Sequence, residues 1–225
     1  MITVHLNTRC GSASNCSIGS PQPFFDSTTS QNMTVKILAF CGSTRRDSLN
    51  RKLLEIAASA ARTDGAEVTF ITLADFPLPI YDADVESGHG VPERVRALQE
   101  LFAEHDALLV ASPEHNGGYT AVLKNMLDWV SRPTTMGSSG LTLFAGKAAA
   151  VVSASPGPMG GIRAMLGMRG VLEKLGAILI PQGFSLGSAH QAFAENGGLA
   201  DEKADAEVRR VGLGLVGVTK QLTRR

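Results

Sequence analysis

The sequence predicts an α/β protein built on a doubly wound, five-stranded parallel sheet with helices on both faces. Short apolar runs alternate with segments of helical period, and this pair of elements repeats five times. The runs at 107–111 and 148–153 contain no charged residue, which is typical of strands buried on both faces of a parallel sheet. Loops rich in Gly, Ser and Asn follow several runs, at the sheet edge where such folds bind ligands.

The predicted elements follow one another in a regular order. Strands are predicted at 35–41, 66–73, 107–111, 148–153 and 177–181. Helices are predicted at 48–62, 92–104, 120–130, 162–175 and 201–222. Pro92 begins the second helix because proline fits a first helical turn, and Gly176 ends the fourth because glycine readily adopts the left-handed conformation there. Segments 76–84 and 131–146 are rich in turn-forming residues and are predicted as loops.

Residues 1–32 differ in composition from the rest of the chain. They are rich in Ser and Thr, only Arg9 and Asp26 carry charge, and no apolar period is sustained. An organelle targeting peptide is one interpretation, but such peptides are usually rich in Arg. We expect instead a disordered N-terminal extension, or an upstream start with Met33 as the true first residue, and one domain over 33–225.

The composition excludes several classes of protein. The chain has 225 residues, of which 44% are hydrophobic, enough for the core of one domain. Lys plus Arg and Asp plus Glu both number 21, so the net charge is zero and we expect no binding to nucleic acid or to a membrane. No apolar run is long enough to span a bilayer. Cys10, Cys16 and Cys41 suit neither a disulfide framework nor a zinc site, so we expect no metal and a reducing, cytoplasmic compartment.

The loop at 42–50 has the features of an anion site. It joins the first strand to the first helix, and such loops aim backbone N–H groups and a helix N-terminus at one point. Neither a Walker Gly-Lys-Ser/Thr ending nor a GxGxxG pattern is present, so we expect a single terminal phosphate instead of a pyrophosphate. The alternative is that Ser48 only caps the helix and Arg45 is a solvated surface charge. The side chains that offer donors to an anion are those of Ser43, Arg45, Ser48 and Asn50.

A second candidate segment, 112–119, follows the third strand. Its two consecutive glycines permit a close approach of the backbone to a flat ligand, and Pro113 holds the preceding residue extended. We therefore expect backbone groups of 114–117 to pair with the polar edge of a ring. His115 is the obvious candidate for acid–base catalysis, but we expect it to border the ligand without transferring protons. Trp129, on the following helix, is expected in the core or at a subunit contact.

Together these segments resemble the NADPH-dependent FMN reductase family of the flavodoxin-like superfamily, which includes chromate and quinone reductases. Each motif is weak alone, but their combination over about 34–181 is specific. The matching stretches are GSTRRDSLN at 42–50, PLPIYDAD at 77–84, PEHNG at 113–117, LKNMLDW at 123–129, AGK at 145–147 and SASPG at 153–157.

The resemblance implies a flavodoxin-like, FMN-binding reductase domain at 33–225. The FMN phosphate would lie in the loop at 43–50 and the ring against 113–117. Family members often carry Tyr where this chain has His115, which leaves the second-substrate pocket an open question. The cofactor-binding residues that the resemblance implies are Ser43, Arg45, Ser48, Leu49, Asn50, Pro113, Glu114, His115, Asn116, Gly117 and Ser155.

The resemblance also implies the reaction. FMN would carry the chemistry without a catalytic protein residue. Electrons would pass from NADPH or NADH through FMN to a quinone, flavin, azo compound or metal oxyanion, and the protein would form a homodimer or homotetramer. Asp82 and Asp84 are spaced as metal ligands can be, but in a Pro-rich loop we expect them to fix the loop.

Two other classes of protein share this topology. A flavodoxin-type electron carrier uses the same phosphate loop without NAD(P)H turnover of its own, but carriers typically dock through an acidic field and this chain has no net charge. A phospho-acceptor receiver domain needs clustered acidic residues after its first two strands, whereas the first strand here ends in Cys41, Gly42 and Ser43. The reductase is the main prediction and the carrier its alternative.

Overall fold

The structure, a computed structural model, describes residues 34–223. The predicted extension at 1–32 lies outside the described residues. The predicted helices and the first four predicted strands agree with the structure to within one residue at each end. The strands are β1 Lys36–Cys41, β2 Glu67–Thr72, β3 Ala107–Ala111, β4 Glu114–His115, β5 Gly118–Tyr119, β6 Ala148–Ala154, β7 Ile178–Leu179 and β8 Phe184–Leu186. The helices are α1 Leu49–Thr63, α2 Ala83–His89, α3 Glu93–Glu104, α4 Ala121–Val130, α5 Ile162–Lys174 and α6 Glu202–Thr223.

The main sheet is parallel, with the strand order β2-β1-β3-β6-β7 and with β8 also paired to β6. This is the doubly wound order of flavodoxin-like proteins, so the predicted fold class is confirmed. Cys41, the last residue of β1, is in register with Thr72 and Ala111 at the ends of its neighbours. The loops after these strands leave the sheet at one edge, which brings 42–50 and 112–119 side by side.

The fifth strand is split, where one continuous strand was predicted at 177–181. β7 pairs with β6 as far as Leu179, and β8 resumes the pairing at Phe184, opposite Val152. Pro181 has no N–H group to donate to the ladder, so the chain leaves the sheet at this residue.

Two apolar layers cover the sheet. Successive residues of β1 contribute to opposite layers: Ile37 and Ala39 pack with α1 and α6, whereas Leu38 and Phe40 pack with α3, α4 and α5. All four side chains are fully buried. Burial on both faces explains why this strand forms a continuous apolar run in the sequence.

Two small elements arise within segments that were predicted as loops. Helix α2 begins inside the Pro-rich segment, where Asp82 Oδ1 accepts a hydrogen bond from the Asp84 N–H at 2.8 Å and caps the helix. Asp82 therefore fixes this segment, as predicted. The second element is an antiparallel hairpin formed by β4 and β5. Within residues 34–223, no helix is both long and apolar enough to cross a membrane.

The segment after β2 is fastened to α4. Trp129 Nε1 and Asn125 Nδ2 each donate to the Pro79 carbonyl at 2.8 Å, and Asn125 Oδ1 accepts from the Tyr81 N–H at 2.8 Å. The Trp129 ring is fully buried and meets the Tyr81 ring edge-on, with centroids 5.0 Å apart. Trp129 thus belongs to the core, one of its two predicted positions.

Candidate functional site

A cleft of about 110 Å³ opens at the carboxyl edge of the sheet, between the loops that follow β1, β3 and β6. All the residues predicted to bind the cofactor line it except Asn116 and Gly117, which form the adjoining turn between β4 and β5. Segments that are distant in the sequence therefore meet at one place. The lining residues are Ser43, Arg45, Ser48, Leu49, Asn50, Pro113, Glu114, His115, Ala154, Ser155 and Pro156.

The β1 side of the cleft is rich in unpaired backbone N–H groups. Ser48 is the N-cap of α1, and its Oγ accepts a hydrogen bond from the Arg51 N–H at 3.2 Å. Free N–H groups at the N-terminus of a helix such as this one, of 15 residues, favour the binding of an anion. Among residues 34–223, no protein group accepts from the N–H groups of Thr44, Arg46, Asp47, Ser48, Leu49 and Asn50.

Cys41 lies directly beneath this loop. Its Sγ is 3.8 Å from Ser48 Oγ, and burial raises the pKa of the thiol above its ordinary value. The thiol therefore stays neutral at neutral pH, and it places no negative charge beneath an anion site.

The Asn50 side chain joins the loop to β6. Its Nδ2 donates to the Ala154 carbonyl at 2.7 Å, and its Oδ1 accepts from the Ala154 N–H at 2.9 Å. The residue is 6% exposed. This side chain was expected to offer a free donor to an anion, but both of its polar atoms are engaged with β6. It shapes the cleft instead, and only its backbone N–H remains free.

The hairpin of β4 and β5 carries the turn at the other side of the cleft. Its two loop residues have positive φ, 52° at Asn116 and 81° at Gly117, as a type I′ hairpin turn requires. The pair Asn-Gly is itself a strong sequence signal for such a turn, so this hairpin could have been predicted. His115 is exposed beside the turn, at the rim of the cleft.

Helix α5 holds the base of the hairpin through Glu114. Glu114 Oε2 accepts from the N–H groups of Arg163 at 3.2 Å and Ala164 at 3.3 Å. Glu114 Oε1 accepts from Arg163 Nε at 2.9 Å and also from Nη2 of the same guanidinium. The Glu114 side chain is 9% exposed. Its hydrogen bond with Arg163 lowers the pKa of the carboxyl, so Glu114 is charged at neutral pH.

The N-termini of α1 and α5 therefore differ. Glu114 closes the N-terminus of α5, whereas the N–H groups at the start of α1 face the cleft without a protein partner among the described residues. Arg163 was not among the predicted site residues. It lies 49 positions from Glu114, and no local pattern in the sequence connects them.

A comparison with known families decides the identity. The sequence profile of the NADPH-dependent FMN reductase family matches residues 35–191, from the first strand to beyond the last loop of the cleft. The chain belongs to this family. It is therefore an oxidoreductase with FMN as cofactor and NAD(P)H as electron donor, as the sequence predicted.

Individual relatives of this chain agree with the family assignment. A 2-hydroxy-1,4-benzoquinone reductase of a Burkholderia species is 37% identical over 150 residues, 67% of this chain and 76% of the relative. An NAD(P)H:quinone oxidoreductase of Solanum tuberosum is 36% identical over 194 residues, 84% of this chain and 94% of the relative. The solved structure of a flavoenzyme NAD(P)H:(acceptor) oxidoreductase from Paracoccus denitrificans has a TM-score of 0.69 at 27% identity, covering 84% of this chain and 98% of that one.

The residues at the cleft fit the chemistry of the cofactor. Free N–H groups at the α1 N-terminus, the Ser43 hydroxyl and the Arg45 guanidinium are the donors that a phosphate dianion requires. The hairpin supplies main-chain donors and acceptors for the polar edge of a ring, and the glycine at its tip removes the steric bulk of a side chain.

Proposed function

We propose that FMN binds in the cleft between the loops after β1, β3 and β6, with its phosphate at the N-terminus of α1 and its ring against the turn at Asn116 and Gly117. The contrast between the two helix N-termini carries this proposal. The start of α1 offers unpaired N–H groups beside Arg45, whereas Glu114 closes the start of α5. Ser48, Leu49 and Asn50 at the start of α1 line the cleft, whereas no residue of α4 or α5 does. A phosphate dianion in this cleft therefore meets the N-terminus of α1, and the hairpin adjoins it.

When bound, FMN would supply the redox chemistry that links hydride donation by NAD(P)H to reduction of an acceptor. The residues of the chain bind and orient it. Arg45 and Ser43 neutralise and hold the phosphate, while Ser48 orders the first turn of α1 through the Arg51 N–H. Ser155 Oγ accepts from the Gly157 N–H at 3.1 Å and so shapes the loop after β6. His115 borders the pocket for the second substrate without moving a proton.

We favour a quinone as the acceptor. Two relatives that match most of this chain are named for quinones, a 2-hydroxy-1,4-benzoquinone reductase and an NAD(P)H:quinone oxidoreductase. Membership of a reductase family supports turnover with NAD(P)H over the electron-carrier alternative. Free flavins, azo compounds and metal oxyanions are the other acceptors that a test must include.

The test is a steady-state screen of the full-length protein loaded with FMN, using NADPH and NADH against a benzoquinone, free FMN, an azo dye and chromate. We expect bound FMN, oxidation of the nucleotide and the highest rate with the quinone. Retention of FMN without turnover on any acceptor would favour the carrier. A protein that takes up no FMN at micromolar concentration would contradict the proposed site.

We further propose that the reductase is a cytoplasmic homodimer or homotetramer whose reductase domain is 33–225. The buried free thiol of Cys41 suits a reducing compartment. The family match begins at residue 35, which supports a dispensable segment at 1–32. Light scattering after size-exclusion chromatography measures the oligomeric state. Deletion of 1–32 should leave FMN affinity and melting temperature nearly unchanged.

A further inference from the structure

The hairpin beside the cleft is held on α5 at two points. At the first, the Glu114 carboxylate accepts hydrogen bonds from the start of α5 and from the Arg163 guanidinium. At the second, the Tyr119 ring lies against Gly167, where a Cβ atom would come within 3.2 Å of the Tyr119 Cδ1 atom. Glu114 and Tyr119 are cross-strand partners at the base of the hairpin, and Arg163 and Gly167 lie one turn apart on one face of α5.

Two contacts of this kind fix the angle of the hairpin. Each strand has two residues, so the hairpin is too short to hold its own orientation and depends on what it packs against. A hairpin attached at Glu114 alone could tilt about that residue, and the contact between Tyr119 and Gly167 removes this freedom. The angle of the hairpin sets where the turn at Asn116 and Gly117 meets the cleft.

We propose that Arg163 is a positioning residue for the FMN ring, acting through the Glu114 carboxylate, with Gly167 as the second support. This inference rests on the proposed FMN site. Arg163 does not line the cleft, so it affects the ring through the hairpin. It contacts the Glu114 carboxylate, and its Nε lies 3.9 Å from the position that a Cβ would take on Gly117. The guanidinium also compensates the Glu114 charge. Without it, an uncompensated carboxylate beside the ring would disfavour added electrons and lower the midpoint potential of the bound flavin.

Riboflavin lacks the phosphate, so comparing its affinity with that of FMN distinguishes effects on the ring side of the site from effects on the phosphate side. Arg163→Ala should weaken the binding of FMN and of riboflavin by the same factor, about tenfold. The variant loses the charge-assisted hydrogen bonds to Glu114, which lie on the ring side of the site and not on the phosphate side. It should also change the visible circular dichroism of the bound flavin and lower its midpoint potential. Arg45→Ala should weaken FMN and spare riboflavin. Gly167→Ala should reproduce the change in circular dichroism with Arg163 intact, since the added methyl displaces Tyr119.

Arg210→Ala is the matched control. Arg210 is 63% exposed and pairs with Glu207 on α6, close to the 62% exposure of Arg163 in its own pair. The control should leave flavin affinity, circular dichroism and potential at wild-type values. Melting temperature, measured for every variant, separates a loss of fold from a displaced hairpin.

The outcomes separate this inference from the proposed function. Suppose that wild-type protein binds FMN and that Arg163→Ala leaves the riboflavin affinity, the circular dichroism and the midpoint potential unchanged. This result overturns the positioning role but not the proposed FMN site. Wild-type protein that fails to bind FMN overturns both. If Arg163→Ala does not fold, Gly167→Ala is the deciding test. A Gly167→Ala variant with the circular dichroism and the riboflavin affinity of wild type overturns the inference.

Discussion

Asn50 and Ala154 are joined by two hydrogen bonds across 104 positions of sequence. One buried amide satisfies both the N–H and the carbonyl of Ala154, the last residue of β6, and ties it to the first turn of α1. The loop that holds the anion site and the loop that carries Ser155 are thereby fixed to each other. Both residues line the cleft, so its shape depends on these two hydrogen bonds.

Asn50→Ala should lower the free energy of unfolding by about 2–6 kcal/mol, because two buried backbone groups lose their partners at about 1–3 kcal/mol each. Urea denaturation measures the change. Asn196→Ala is the control, since it removes a single hydrogen bond to the Gly198 N–H in an exposed turn and should cost within about 0.5 kcal/mol. Equal losses in the two variants would contradict the buried role of Asn50.

Arg45→Ala should weaken FMN about ten- to hundredfold, because a charge-assisted hydrogen bond to phosphate contributes roughly 1.5–3 kcal/mol. Arg46→Ala should have a much smaller effect, since Arg45 lines the cleft and Arg46 does not. Titration of each apoprotein with FMN, followed by the flavin absorbance, measures both affinities. Equal affinities for the two variants would show that the wrong arginine had been assigned to the phosphate.

The stability that the ion pair between Glu114 and Arg163 contributes should depend on pH. The hydrogen bond from Arg163 lowers the pKa of Glu114 in the folded protein below its ordinary value of 4.5. A lowered carboxyl pKa stabilises the fold above the ordinary pKa, and this stability is lost as the pH falls through the folded value. The stability advantage of wild type over Glu114→Gln should therefore be constant from neutral pH to about pH 5.5 and disappear at lower pH.

Unfolding curves of the two proteins over that pH range measure the difference. Glu207→Gln, which removes a carboxylate 43% exposed in its pair with Arg210, is the control and should show little difference from wild type throughout. An advantage of wild type over Glu114→Gln that grows as the pH falls would have the wrong sign for this ion pair.

His115→Tyr should keep the rate of flavin reduction by NAD(P)H within about tenfold of wild type, well short of the 10²–10⁴-fold loss of a general acid–base catalyst. The side chain is exposed at the rim of the cleft, and the proposed function places it at the border of the pocket for the second substrate. Acceptor preference should therefore change more than the reductive rate. Stopped-flow reduction of bound FMN is the measurement, and a hundredfold slower reduction would make His115 a catalyst.

The sequence could predict what depends on local pattern. The apolar runs and helical periods located the long elements, and the run-loop-helix arrangement at 42–50 located the α1 N-terminus. The resemblance to the reductase family then named the cofactor. These features are determined by residues that are close in the chain, so one sequence is sufficient to find them.

Contacts between distant residues could not be predicted in this way. The position of Asn50 in the sequence suggests a hydrogen-bond donor to phosphate. Only the fold shows that both polar atoms of its side chain are hydrogen-bonded to the backbone of Ala154. Arg163 has no local motif, because its partner Glu114 lies on another element. The break at Pro181 was open to prediction, since a proline cannot continue a ladder, and so was the hairpin at Asn116 and Gly117.

Trp129 gives the protein an intrinsic optical reporter. It is the single tryptophan of the chain, and its indole N–H donates to the Pro79 carbonyl while its ring meets Tyr81. Release of the segment after β2 from α4 would expose this indole to water and shift its fluorescence to longer wavelength. Bound flavin absorbs where indole emits, so cofactor uptake should quench the same signal by energy transfer. One emission band therefore follows both the attachment of this segment and the occupancy of the cleft, without any added label.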